Sequence, residues 1–183
     1  TSETVWVASG GAGAYRWRPG TGWTHYLDQL VNGDVSSIEL DTEGNVWFGT
    51  LDGISRFDPA EQPSIYQTHD GLGGSIAAAV AIDPNGRLWT AADLNTSLNI
   101  YDPATDRWQA QRTWECPDMG DPIAMDIDNV GRIWLGGDEQ GIRMVDPGGN
   151  PFRPCDQYTW QSFKSGNPPE LRSNKIRAIA VNH

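Results

Sequence analysis

The chain has 183 residues and a net charge of −11, from 24 acidic against 13 basic side chains. A field of that sign repels nucleic acid and anionic membrane surfaces, and leaves cations, basic partners and neutral ligands such as sugars as the classes it tolerates. Only 38% of residues are hydrophobic, yet nine are Trp, so a sizeable core is available, and 21 Gly with 12 Pro suit many short strands joined by turns rather than helices.

In chain order, the first strand is VWVAS around Trp6, followed by a segment closed by Pro19 and an outer strand with Trp23 and Tyr26. The next unit, VSSIELDTEGNVWFGTLDGISRFDP from Val35, has four short strands: an apolar one, a D-x-x-G turn, a strand carrying Trp47, a third ending in Asp-Pro, and an outer one with Tyr66. The units from Ile76 and Ile123 repeat this, with turns Asp83–Gly86 and Asp128–Gly131, tryptophans Trp89 and Trp134, and outer aromatics Trp108, Tyr158 and Trp160. In each turn Asp starts the reversal through its side chain and Gly supplies the positive φ that follows. Trp6, Trp47, Trp89 and Trp134 stand 41, 42 and 45 residues apart, and Pro19, Pro59, Pro103 and Pro147 stand 40, 44 and 44 apart. A period in the low forties with four strands per unit predicts an all-β propeller whose blades bury their faces against one another.

The chain ends on KIRAIAVNH, which reads as one more first strand. With VWVAS lacking a first strand of its own, the two ends are expected to share blade one. This gives four blades of four antiparallel strands in one domain: residues 1–29 with 176–182, then 35–68, 76–112 and 123–164. Two alternatives stand beside a closed four-bladed ring. One is half of an eight-bladed ring formed by two chains, and the other is a piece of a larger propeller.

The unit from Val35 resembles the two-component regulator propeller repeat, which runs V-x-x-I-x-x-D-x-x-G-x-x-W-x-G-T and then G-L/I-x-R-F/Y-D. The likeness weakens from Ile76, where Thr90-Ala91 replace Gly-Thr, and from Ile123, where Gly137 replaces the Thr. The linker NPPELRSNKIRAIAV resembles that family's inter-blade segment. The resemblance implies an extracytoplasmic sensor propeller that detects a small molecule or glycan, with no catalytic residue marked by the repeat.

In a propeller the loops between strands two and three lie on one face with the linkers between blades. That face gathers Asp52, Asp93, Asn95, Asp138, Glu139 and Gln140, with Arg172 nearby, and is the expected ligand or protein-partner surface. Trp114, beside the connection TWECPDMGDP, breaks the repeat and is the candidate stacking platform for a sugar ring. One Asp per turn on separate blades does not converge on a calcium ion, so neither metal nor cofactor is expected. His25, His69 and His183 offer no nucleophile–base pair, so no enzyme is expected. The blades are also similar to those of streptogramin lyase, but four blades and no axial histidine argue against that chemistry. A purely structural module, dimerising by strand exchange, is the other reading. Cys116 and Cys155 fall in segments expected at opposite ends of blade four, which leaves a disulfide between them open; one would favour an oxidising compartment.

Overall fold

The computed structural model describes residues 3–92, 97–112, 121–139, 141–166 and 171–182. They form four antiparallel sheets in chain order, each a meander of neighbouring strands. Blade one holds β1 (Val5–Ser9), β2 (Gly13–Arg18) and β3 (Gly22–Tyr26). Blade two holds β4 (Val35–Leu40), β5 (Val46–Thr50), β6 (Gly53–Phe57) and β7 (Pro63–Tyr66). Blade three holds β8 (Ala77–Ile82), β9 (Leu88–Ala92), β10 (Ser97–Asp102) and β11 (Arg107–Arg112). Blade four holds β12 (Pro122–Ile127), β13 (Ile133–Gly137), β14 (Ile142–Asp146) and β15 (Thr159–Phe163). The all-β propeller architecture read from the sequence is that of the structure.

The repeat is kept in register as well as in length. Trp47, Trp89 and Trp134 lie opposite Glu39, Ala81 and Asp126 on the inner strands. Each inner strand has a bulge at the same place, Val35/Ser37, Ala77/Ala79 and Pro122/Ala124, which bends it toward the next blade. The turns after β4, β8 and β12 put Gly44, Gly86 and Gly131 at φ of 86°, 77° and 87°, a region open to Gly at little cost.

The core lies between the blades. Phe48 and Phe57 of blade two pack with Ala14 and Tyr26 of blade one, with Trp6 against them. Trp47, Ile54 and Tyr66 meet Leu88, Tyr101 and Trp108 across the second junction. Trp89, Leu98 and Ile100 meet Ile127, Ile133 and Leu135 across the third. Phe48, Phe57, Ile54 and Ile133 are fully buried, each worth about 2–3 kcal/mol of transfer free energy. A blade without its neighbour would lose most of this, so the units are stable only as a stack.

The pairing of the two ends differs from expectation. Blade one is three-stranded, with β1 at its edge. The C-terminal segment lies against blade four instead: the Ile176 N–H donates to Gly137 O at 2.8 Å, and the Val181 N–H to Asp126 Oδ2 at 2.6 Å. The sequence pattern reads residues 176–181 as an inner strand beside β1, whereas the structure assigns no strand there and packs the segment on blade four. The four blades form an arc with β1 at one end and this segment at the other.

Candidate functional site

The recurring Asp of each turn does more than start it. Asp41 Oδ1 accepts from the backbone N–H of Glu43 and Asn45 at 3.0 and 2.8 Å, and Oδ2 from Asn45 Nδ2 at 2.7 Å and Trp47 Nε1 at 2.9 Å. Asp83 takes the same four positions, from Asn85 N, Arg87 N, Arg87 Nε and Trp89 Nε1. Asp128 does so from Val130 N, Arg132 N, Arg132 Nε and Trp134 Nε1. Burial alone would raise the Asp128 pKa, but the hydrogen bonds from Arg132, Trp134 and Val130 outweigh it and hold the carboxyl below its ordinary value. These carboxylates are saturated by the protein, which takes them out of the pool of cation ligands. The constant spacing in D-x-x-G-x-x-W is the sequence signal of this bond, since it sets each Trp Nε1 against the Asp Oδ2 six residues before it.

A second arrangement crosses between blades. The hairpins joining the third and fourth strands of blades two and three carry Glu61 and Asp106, at φ of 63° and 52°, which are the non-glycine residues of positive φ among the described ones. Each reaches back to the blade before it. Glu61 accepts from the Tyr26 hydroxyl and pairs with Arg16, with Arg18 Nη1 at 3.0 Å; Arg16 lies over the Trp6 and Tyr26 rings. Asp106 Oδ1 accepts from the Tyr66 hydroxyl at 3.2 Å and the Tyr101 hydroxyl at 2.7 Å. Arg56, in the place of Arg16, lies over Trp47 and Tyr66 and donates to the Tyr101 oxygen at 3.1 Å, and it makes no ion pair among the described residues. Burial pushes the Tyr66 and Tyr101 hydroxyls above the ordinary phenol range, so both remain protonated donors.

Beside Arg56 a cleft of about 170 Å³ opens between blades two and three. Asp41, Asn45, Arg56, Asn85 and Tyr101 supply its polar lining, with the buried Trp47 and Leu88 among the apolar residues. Because the turns after the inner strands and the outer hairpins share one end of each blade, this cleft is on the face opposite the one singled out in the sequence. Two wider, more open hollows lie at the junction of blades three and four, one beside Arg107 and Phe152 and one beside Pro84 and Asn129.

The loop-face candidates are only partly brought together. Asp52 is exposed in the turn after β5, where its N–H donates to Thr50 Oγ1 at 3.2 Å. Asp138 and Glu139 are exposed after β13, two blades away, and Asp138 Oδ1 faces Lys175 Nζ at 3.3 Å and Arg177 Nη1 at 3.8 Å. Arg172 is exposed on the same C-terminal stretch. Asp93, Asn95, Trp114 and Gln140 lie outside the described residues. Cys155 is fully buried and disulfide-bonded; the chain's other cysteine, Cys116, lies outside the described residues. Among the described residues no three His, Cys, Asp or Glu side chains are placed to hold a metal ion, and no helix is long and apolar enough to cross a membrane. His25 stacks on Tyr15 and donates from Nε2 to Ala12 O at 2.7 Å, and His69 lies 3.3 Å from Asp70 at the surface.

Comparison with known proteins agrees with this architecture. The two component regulator propeller family matches residues 29–52, so the repeat that opens blade two belongs to that type. No curated protein sequence matches the chain. Among solved structures, the extracellular domain assigned to a one component system of B. thetaiotaomicron is 18% identical over 98% of this chain, with a TM-score of 0.74. PorZ, a surface component of the type-IX secretion system of Porphyromonas gingivalis, is 18% identical over 100% of the chain at a TM-score of 0.71. Virginiamycin B lyase from Staphylococcus aureus is 15% identical over 90% at 0.65. This chain spans 23%, 29% and 53% of those three. At such identities the likeness establishes the fold, and one fold here serves a one component system, a secretion-system component and a lyase.

Proposed function

We propose that this chain is a non-catalytic propeller module that works outside the cytoplasm and holds a small neutral polar ligand, a single sugar unit being the best fit, in the cleft between blades two and three. The observation that carries this is the cleft itself. It sets amide groups of Asn45 and Asn85, the Tyr101 hydroxyl and the Arg56 guanidinium around a space no larger than one sugar ring. Convergent polar groups in a concave site are what hydroxyl-rich ligands require. The carboxylates of Asp41 and Glu43 at the rim, and the net charge of −11, disfavour an anion. The disulfide at Cys155 and the likeness to an extracellular domain of a one component system and a bacterial surface component support a place in an oxidising compartment.

Isothermal titration with a panel of neutral monosaccharides and short oligosaccharides tests the ligand class. Asn85→Ala, at an exposed position, is expected to weaken binding about tenfold, the loss of one good hydrogen bond. The loop-face variants Asp52→Asn, Asp138→Asn and Arg172→Ala are expected to leave it unchanged. Binding abolished by these three and untouched by Asn85→Ala would move the site to the loop face. A panel in which no sugar binds would remove the ligand class altogether.

A further inference from the structure

The cleft has an equivalent one junction further along. Each hollow lies between the D-x-x-G turn of one blade and the end of the next blade's inner strand. At the second junction these are the turn from Asp41 and Ile82, and at the third the turn from Asp83 and Ile127. Ile82 and Ile127 hold the same strand position, opposite Leu88 and Ile133.

The two linings differ in kind. At the second junction Arg56 stands opposite Trp47, and Asn45 follows the turn. At the third, Ile100 stands opposite Trp89 in the place of Arg56. Arg87, in the place of Asn45, is held on Asp83 Oδ2 at 2.7 Å and lies over the Phe152 ring at 5.9 Å. The third hollow, of about 260 Å³, is therefore bounded by Ile82, Pro84 and Ile127, with Asp83 and Asn129 as its polar members. Asp83 already accepts four hydrogen bonds from its own turn and strand, so its carboxylate is spent within the blade.

The polar cleft and the apolar hollow are continuous. Ile82 borders both, and the tip of the blade-three turn separates them, with Asn85 on the polar side and Pro84 on the apolar side, both exposed. The pyrrolidine ring fixes the backbone of Pro84, which makes this wall rigid as well as apolar.

We infer that the ligand of the cleft is a glycoside, a sugar ring carrying an apolar aglycone, and that the aglycone lies across the blade-three turn against Ile82, Pro84 and Ile127. This rests on the sugar reading of the cleft and supplies the other half of the ligand. An apolar group on that wall leaves water and needs no polar partner. A second sugar ring there would set its hydroxyls against Ile82 and Ile127 with nothing to bond to, at a cost.

Isothermal titration with glucose, galactose and mannose beside their phenyl glycosides tests this. The phenyl glycoside of a sugar that binds is expected to bind about tenfold tighter than the sugar itself, with a more negative heat-capacity change. Pro84→Asn copies Asn129, the residue at this place in the blade-four turn, so the turn is kept. It is expected to abolish the tenfold gain and leave free-sugar affinity at the wild-type value. Asn85→Ala is expected to weaken sugar and glycoside in equal proportion and to keep the gain. A phenyl glycoside that binds no tighter than its sugar, or a gain that survives Pro84→Asn, overturns the inference and leaves the cleft reading standing. A panel in which neither sugars nor glycosides bind removes the cleft reading and this inference with it.

Discussion

The junction between blades one and two and the junction between blades two and three use the same three positions and reach different ends. Both have an arginine laid over aromatic rings, a tyrosine at the end of the outer strand, and a carboxylate on the next blade's hairpin in the left-handed backbone region. At the first junction the carboxylate is Glu61, which serves tyrosine and arginine together. At the second it is Asp106, one methylene shorter, which is taken up by two tyrosine hydroxyls while Arg56 turns to the Tyr101 oxygen. The first junction is thereby cross-linked by an ion pair, and the second keeps a cleft beside its arginine. One methylene separates a clasp from a candidate site.

The largest expected effect comes from breaking the first clasp. Glu61→Ala leaves Arg16, 8% exposed, without a counter-charge, and urea unfolding should show a loss of about 3 kcal/mol. Asp106→Ala strands two tyrosine hydroxyls but no paired charge, and the same measurement should show about 2 kcal/mol. A loss larger than that of Glu61→Ala would reverse the ranking of the two junctions. Asp106→Glu sharpens the comparison by converting the second junction into the first. Glu already takes this backbone region at position 61, so stability should change by no more than about 1 kcal/mol. The cleft should narrow in a crystal structure of the variant, and any sugar binding there should be lost. The smallest effect lies outside both junctions. The Asp128 pKa is lowered in the folded chain from its ordinary 3.8, so its contribution is fully present above about pH 4 and fades as pH falls through the folded value. Asp128→Asn should cost about 1 kcal/mol at pH 7 and converge on wild type as pH falls below about 4, which flattens the acid limb of its stability-against-pH curve.

What the sequence discloses is what lies within one unit. The spacing of Trp47, Trp89 and Trp134 and the turns at Gly44, Gly86 and Gly131 are local, so strands, turns and blade boundaries could be read from them. Glu61 and Asp106 look like ordinary hairpin residues, because their partners are 35 to 45 residues away on the preceding blade and no short pattern ties them together. The cleft belongs to a junction, not to a motif, so no short pattern marks it, whereas the acidic loops stand out in the sequence. The segment 176–181 shows the same limit: its composition reads as an inner strand beside β1, and the structure packs it instead on Gly136 with no strand assigned.

Gly49 and Gly136 bear on the curvature of the whole arc. At these points one blade's second strand touches the next inner strand so closely that a methyl group would meet an atom at 2.5 to 2.6 Å, with Ala77 O and Ile176 Cγ2 among those in the way. Blade three has Ala91 there, fully buried, and so carries that methyl at its own seam. Side-chain volume at this single site thus acts as a gauge for the wedge angle between successive sheets. Bare backbone lets the wedge tighten and each added carbon opens it, and the number of wedges needed to complete a circle follows from that angle.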